Sequence, residues 1–397
     1  MSGIDRRRTL KLFGAFGAAG LAAACGDDPQ IAPPAEQLYE SHVRIGLLVP
    51  ATGGYKAIGD DILNGFRRFL ATTGNRLGGH PVVEDEEDEG ETPEAAQAAF
   101  QRMVERRVHA VVGVVNSASL LQMSGTVEDA LVPVLSANAS PVDLQGNPYI
   151  WRTSYVNHEP GLAGGGYLAS AVNGQVAVIA QDDLLGTEVV AGLQEAFATA
   201  GESDRLLEPI LTPYNDQPEG GFFDAALAQL PQDVSAVFAV YAGAAAAEFL
   251  RAYLGAGRSP EQLYGPAFLT EGINLTEFGG DVVGIRTAGT YATELPGATN
   301  RAFAVAYRAE YGQPTMYSVA GYDAAVALDT AIRLAGDDLE RRQINLMLGE
   351  IGLIDSPRGR WQFNQSRTPT QAWYLREVNW DGPVLTNLVL QELGTLG

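Results

Sequence analysis

Short apolar runs alternate with helical periods twice over in this chain, and that alternation constrains its fold more than any other feature. The first series opens with a mostly apolar strand over residues 43–50. Turn residues 52–54 follow, then a helical period with Ile62, Phe66 and Leu70 on one face. A strand at 81–85 comes next, and Thr92-Pro93-Glu94 supplies a cap, a first-turn proline and a first-turn acid for another helix. Strands at 109–115 and 132–135 bracket a helix that begins near Ser117. The second series starts after residue 153. Its strands are expected at 175–180, 206–211, 236–240 and 263–269, with helices at 187–199, 221–230 and 244–254. Strands interleaved with helices of this length form parallel sheets with crossover helices. Two such series predict two doubly wound α/β lobes. A strand at 286–291, helices near 301–311 and 317–334, a helix from 339, and strands at 360–363 and 372–378 complete the pattern.

The amino-terminal segment has a different character. Arg6-Arg7-Arg8-Thr9-Leu10-Lys11 precedes a short apolar stretch from Leu12 to Ala24, and then comes Cys25, the one cysteine of the 397 residues. A basic head, a short apolar core and small residues before a break form the pattern of a secretory signal. The apolar core is too short to span a bilayer. Leu21-Ala22-Ala23-Ala24-Cys25 resembles a lipobox, although Ala22 stands where leucine is usual, and the arginines resemble a twin-arginine export signal. The expected organisation is therefore a signal peptide over 1–24, a lipidated Cys25 with a Pro-, Asp- and Ala-rich tether over 25–42, and a fold from 43 onward. The alternative for Cys25 is a plain buried cysteine.

Composition excludes several functions. The formal charge is −22. The head carries four basic residues and one acid, so the remainder stands at −25, a field that repels nucleic acid and shows no basic footprint. The turn after the first strand, Thr52-Gly53-Gly54-Tyr55, lacks the glycine spacing of a dinucleotide site. No P-loop or nucleophile elbow occurs, and His42, His80, His109 and His158 are dispersed rather than at metal-ligand spacing. No cofactor or metal is expected. The acidic run from Glu84 to Glu89 has no calcium-loop spacing and reads as a solvated strand end.

What remains is polar chemistry at strand ends. Asn116-Ser117-Ala118-Ser119 follows one strand and begins a helix, with Ser117 or Ser119 as the expected cap. Free first-turn N–H groups would then offer a site for a carboxylate. Ser136-Ala137-Asn138-Ala139-Ser140 follows the next strand and offers carbonyls and hydroxyls beside it. Ligands of open α/β sheets bind at such carboxyl ends. Capping and turn chemistry alone also accounts for these residues.

Seven stretches, in order, resemble the leucine/isoleucine/valine-binding family, the type I periplasmic solute-binding proteins of ABC importers. They are residues 45–54, 59–65, 112–117, 133–140, 151–153, 269–272 and 320–324. The resemblance implies two lobes joined by a three-strand hinge, closing on an amino acid. The first lobe would hold 43–154 with 288–335, and the second 155–287 with 336–397. It implies Ser117 for the ligand carboxylate, Asn138 and Ser140 for the ammonium, Glu271 to complete the ammonium site, and Tyr241 as an aromatic beside the ligand. Tyr55, Ile58 and Leu185 would shape the side-chain pocket; Ile58 and Leu185 stand where the family has aromatics. The implied function is a monomeric lipoprotein, not an enzyme, that delivers an amino acid to an ABC permease. An amide or urea ligand, a sensing module on the same fold, and a hydrolase acting through Ser117 are the alternatives.

Overall fold

The computed structural model describes residues 37–397; the arginine-rich head and Cys25 lie outside the described residues. The first sheet contains β1 (Val43–Val49), β2 (Arg76–Leu77), β3 (His80–Asp88), β4 (Ala110–Gly113), β5 (Val134–Ser136) and β6 (Ile150–Arg152). Its order is β2-β3-β1-β4-β5-β6, parallel except for the β2–β3 pair. Helices α1 (Lys56–Thr72), α2 (Pro93–Glu105) and α3 (Ser117–Ala130) cross over between its strands. β1 lies between β3 and β4, so successive connections leave it in opposite directions. The loops after β1 and β4 therefore part at the carboxyl end of the sheet and leave a crevice.

The second sheet is built the same way from β7 (Val176–Asp182), β8 (Ile210–Pro213), β9 (Ala236–Val240), β10 (Leu263–Pro266) and β11 (Arg286–Gly289). Helices α4 (Glu159–Ala171), α5 (Leu184–Thr199), α6 (Asp224–Leu227) and α7 (Gly243–Gly255) accompany it. The chain continues through α8 (Ala298–Tyr311), α9 (Met316–Ala335), α10 (Arg341–Leu348), β12 (Ile354–Ser356), β13 (Gly359–Phe363), β14 (Pro369–Asp381) and β15 (Val384–Leu396). The strand order is β12-β13-β14-β11-β10-β9-β7-β8, with β15 paired to β14. The glycine-rich start of α4 packs closely on α5: a methyl on Gly161 would lie 2.0 Å from the Val189 carbonyl oxygen.

Three expectations need correction. The helix expected over 221–230 is only the single turn Asp224–Leu227, with Gly221 at φ +86° outside it. The strand expected from 206 begins at Ile210, and Leu206 makes only an isolated bridge to Val176. The tail from 336 does not belong wholly to the second lobe. Ile344, Leu348, Ile354 and Trp361 pack with Val43, Ile45 and Leu47 of β1, while β14 and β15 extend the second sheet. An apolar pattern marks a buried face but does not say which of two similar cores receives it.

Candidate ligand site between the lobes

The carboxyl ends of the two sheets face each other across a cavity of about 280 Å³. From the first lobe come Tyr55 and Ile58 after β1, Asn116 and Ser117 after β4, and Asn138 after β5. From the second come Asp183 and Leu185 after β7, Tyr214 after β8 and Ala242 after β9. Each position follows a strand, because that is where a parallel sheet ends its hydrogen-bonded ladder and releases side chains. Of the eight ligand residues expected from sequence, Tyr55, Ile58, Ser117, Asn138 and Leu185 line this cavity.

Ser140, Tyr241 and Glu271 are placed elsewhere. The Ser140 amide donates to Ser117 Oγ at 3.4 Å, while its own hydroxyl is buried without a partner. Tyr241 belongs to the second-lobe core: its hydroxyl pairs with Thr212 at 3.1 Å and its ring stacks on Phe249 at 4.6 Å. Glu271 is ion-paired with Arg376, and its other oxygen accepts from the Met316 amide at 2.5 Å. Both charged partners are at most 5 % exposed, so this acid is already neutralised inside the protein.

The local chemistry at Ser117 differs from the expected cap. Asn116 caps α3, its Oδ1 accepting from the Ala118 and Ser119 amides at 2.9 and 3.2 Å. Two first-turn donors are thereby consumed. Ser117 retains two. Its amide has no hydrogen-bond partner among the described residues. Its Oγ accepts from Asn157 Nδ2 at 3.0 Å and from the Ser140 amide, which leaves the hydroxyl proton free to be donated. Together with the helix dipole, these two donors suit an anionic oxygen. Asn138 is held rigidly instead of offered: its amide donates to the Val115 carbonyl at 2.8 Å, its side-chain oxygen accepts from Tyr155, and its carbonyl accepts from Ser154.

Asp183 was not anticipated as a site residue. It caps α5, with Oδ1 accepting from the Gly186 amide at 2.7 Å and Oδ2 from Gln181 Nε2 at 3.2 Å. Among the described residues no cation pairs with it, and burial raises its carboxyl above the usual range. Its position directly after β7, equivalent to that of Ser117 after β4, was the available signal. Burial likewise raises the Tyr55 hydroxyl, and it pushes Tyr214 up to about 12 with help from the nearby Asp216 carboxylate. Both phenols therefore stay neutral.

The lobes are latched at the mouth of this cavity. The Gly54 amide donates to Asp216 Oδ2 at 3.1 Å, and the Ala244 amide donates to the Gly54 carbonyl at 3.0 Å. On another side, Glu188 accepts from the Val142 amide at 3.0 Å and from Asn157 Nδ2 at 2.8 Å.

The acidic run also differs from a plain solvated end. Arg67, Arg102 and Arg106 pair with Glu84, Asp85, Glu86 and Glu87, but Glu89 is fully buried. Its carboxylate accepts from the Val115 and Asn116 amides at 2.7 and 2.8 Å. Burial pushes Glu89 up to about 7, and does the same to the buried Glu159. The folded state therefore binds these protons more tightly than the unfolded chain, whose glutamates titrate near 4.5. The resulting stability is fully present at acid pH and is lost as pH rises through about 7. The unfolding temperature should be higher at pH 5.5 than at pH 8, by a free energy of roughly 2–4 kcal/mol for the two groups together. A melting curve that is flat or rises over that interval would contradict it.

Comparison with known proteins agrees with this architecture. Residues 42–383 match the family described as periplasmic binding protein. A Leu/Ile/Val-binding protein homolog of Brucella suis is 24% identical over 363 residues, covering 87% of this chain and 89% of that protein. Among solved structures, an ABC-transporter solute-binding protein of R. palustris in complex with benzoate superposes with a TM-score of 0.82 at 25% identity, covering 89% of this chain and 97% of that one. A branched-chain amino acid transporter substrate-binding protein from Streptococcus pneumoniae, in complex with isoleucine, has a TM-score of 0.74 at 17% identity, covering 88% and 99%. With the family match extending over both sheets, the chain belongs to the periplasmic binding protein family, in its two-lobed type I form.

Proposed function

We propose that this chain captures a small amino acid, branched-chain or similar, and delivers it to an ABC permease outside the cytoplasm, held at the membrane by lipid on Cys25. The observation that carries the ligand class is the pairing of two free donors on Ser117 with an acid, Asp183, that no cation among the described residues neutralises. Ile58, Pro93 and Leu185 supply an apolar wall to the same cavity. An α-amino acid presents a carboxylate, an ammonium and an aliphatic side chain, one for each feature. A ligand that touches both lobes binds the closed form better than the open one and so draws the hinge shut.

A second reading is an aromatic acid. Tyr55 and Tyr214 line the same cavity, and the R. palustris relative binds benzoate. Asp183 discriminates, because an acid without an ammonium gains nothing from a second carboxylate. The test is a thermal-shift screen of wild type and Asp183→Asn against leucine, isoleucine, valine, benzoate, 4-hydroxybenzoate and simple amides. The expected result is a rise with a branched-chain amino acid that Asp183→Asn removes. A rise with a benzoate alone, kept or enlarged in Asp183→Asn, would replace the amino-acid reading with the aromatic one.

A further inference from the structure

The cleft between the lobes holds a second cavity, of about 380 Å³, that the reading above leaves unused. Ala57 and Asp61 of α1 and Thr315 before α9 form one side. Glu271, Leu275 and Leu385 face them from the second lobe, and Thr293 from the segment after β11. The two cavities are separate. Ala57 lines this one and its neighbour Ile58 lines the other. Gly272, which also lines this cavity, presses on the dividing wall: a methyl there would lie 2.9 Å from Ile58 Cγ1 and 3.2 Å from Tyr317 Cε2.

Three ionised side chains line the cavity: Asp61, Glu271 and Arg376. Glu271 and Arg376 cancel as a buried pair, which leaves one uncompensated negative charge, on Asp61. Asp61 Oδ1 accepts from the Tyr307 hydroxyl at 2.9 Å and Oδ2 from the Thr315 hydroxyl at 2.6 Å. Each oxygen keeps a free lone pair, and both donors are neutral. Thr293 Oγ1 is buried in the same lining without a hydrogen-bond partner, a second free acceptor. Ile273, Leu275, Val384 and Leu385 form an apolar patch of the wall, beside the polar Thr270, Asn274, Thr276, Gln313, Thr386 and Asn387.

We propose that this cavity binds a small organic amine, with its ammonium on Asp61 and Thr293 and its carbon body against Ile273, Leu275 and Leu385. A cation here compensates a carboxylate that is otherwise held in protein without a partner charge. Burial first, and then the Glu271 and Asp60 carboxylates, push the Asp61 carboxyl up to about 6, the direction expected of an acid short of positive charge. The site is distinct from the solute site in residues and in wall, so its failure and the failure of the amino-acid reading are separable.

The probe is butylamine, with 1-butanol as its uncharged match, titrated into the whole chain and followed by calorimetry. Butylamine should bind at least about tenfold more tightly than butanol. Asp61→Asn should remove that difference. Ala57→Trp, at an exposed position of α1 in the lining, should block the cavity and remove binding of both; it decides the matter alone if Asp61→Asn fails to fold. Equal binding of amine and alcohol would overturn the proposal. So would amine binding that persists in Asp61→Asn or Ala57→Trp but disappears in Asp183→Asn, since that places the amine in the other cavity.

Discussion

Gly54→Val should weaken binding of the captured solute by about 100-fold while leaving the unfolding temperature of the ligand-free protein unchanged. Gly54 is one of the points at which the first lobe touches the second. A methyl on it would lie 1.9 Å from the Asp216 carbonyl oxygen and 3.3 Å from the Asp216 Cβ. The first of these is far inside van der Waals contact, and it is backbone, which cannot rotate away. The same residue donates to Asp216 Oδ2 and accepts from the Ala244 amide. A β-carbon therefore holds the lobes apart and removes both bonds. At about 1 kcal/mol per hydrogen bond, and more for one to a carboxylate, the loss is ~3 kcal/mol, which is ~100-fold in affinity. Because the overlap is with the other lobe, the open form is undisturbed. Scattering should show wild type contracting on adding ligand and Gly54→Val remaining extended. Equal affinity and equal contraction would show that this contact is not part of closure.

Arg376→Met should cost about 3–5 kcal/mol of stability, the largest effect expected of any single substitution discussed. Arg376 is 1 % exposed and Glu271 is 5 % exposed, and they are bonded to each other. Arg376 also donates to the Tyr291 carbonyl at 2.6 Å and to Thr287 Oγ1 at 3.0 Å. Removing the guanidinium leaves a buried carboxylate with only the Met316 amide to satisfy it. Glu271→Gln in the Arg376→Met background should recover part of the loss, because the uncompensated charge is then gone. If Glu271 instead served the solute's ammonium, Arg376→Met would free it and strengthen amino-acid binding. Chemical denaturation and calorimetry on the same variant separate these outcomes.

The architecture was legible because hydrophobic periodicity is local. Strand 43–49, helix 56–72 and their repeats follow from residues a few positions apart. β15 was not legible: its apolar run Leu388-Val389-Leu390 is short and none of the residues in that run is fully buried, and its register along β14 shifts at Trp373/Tyr374 and at Leu375/Arg376. Ser117 was reachable from its position at a strand end, whereas Ile58 and Leu185, which line the same cavity, came only from the family resemblance. Glu271 shows the limit. Its residue type suits an ammonium, but its partner Arg376 lies 105 residues away on a strand that approaches it only in the folded sheet. Asp183 shows the converse. A capping acid reads as ordinary helix chemistry until the opposite lobe brings Ser117 to the same cavity.

Titration calorimetry of wild type and Ser117→Ala with leucine, isoleucine and valine tests the central claim most directly. At least one of these should bind wild type, and Ser117→Ala should weaken it by ~1–3 kcal/mol through the lost hydroxyl donor. Undiminished affinity in Ser117→Ala would remove the cavity between β4 and β7 from solute capture.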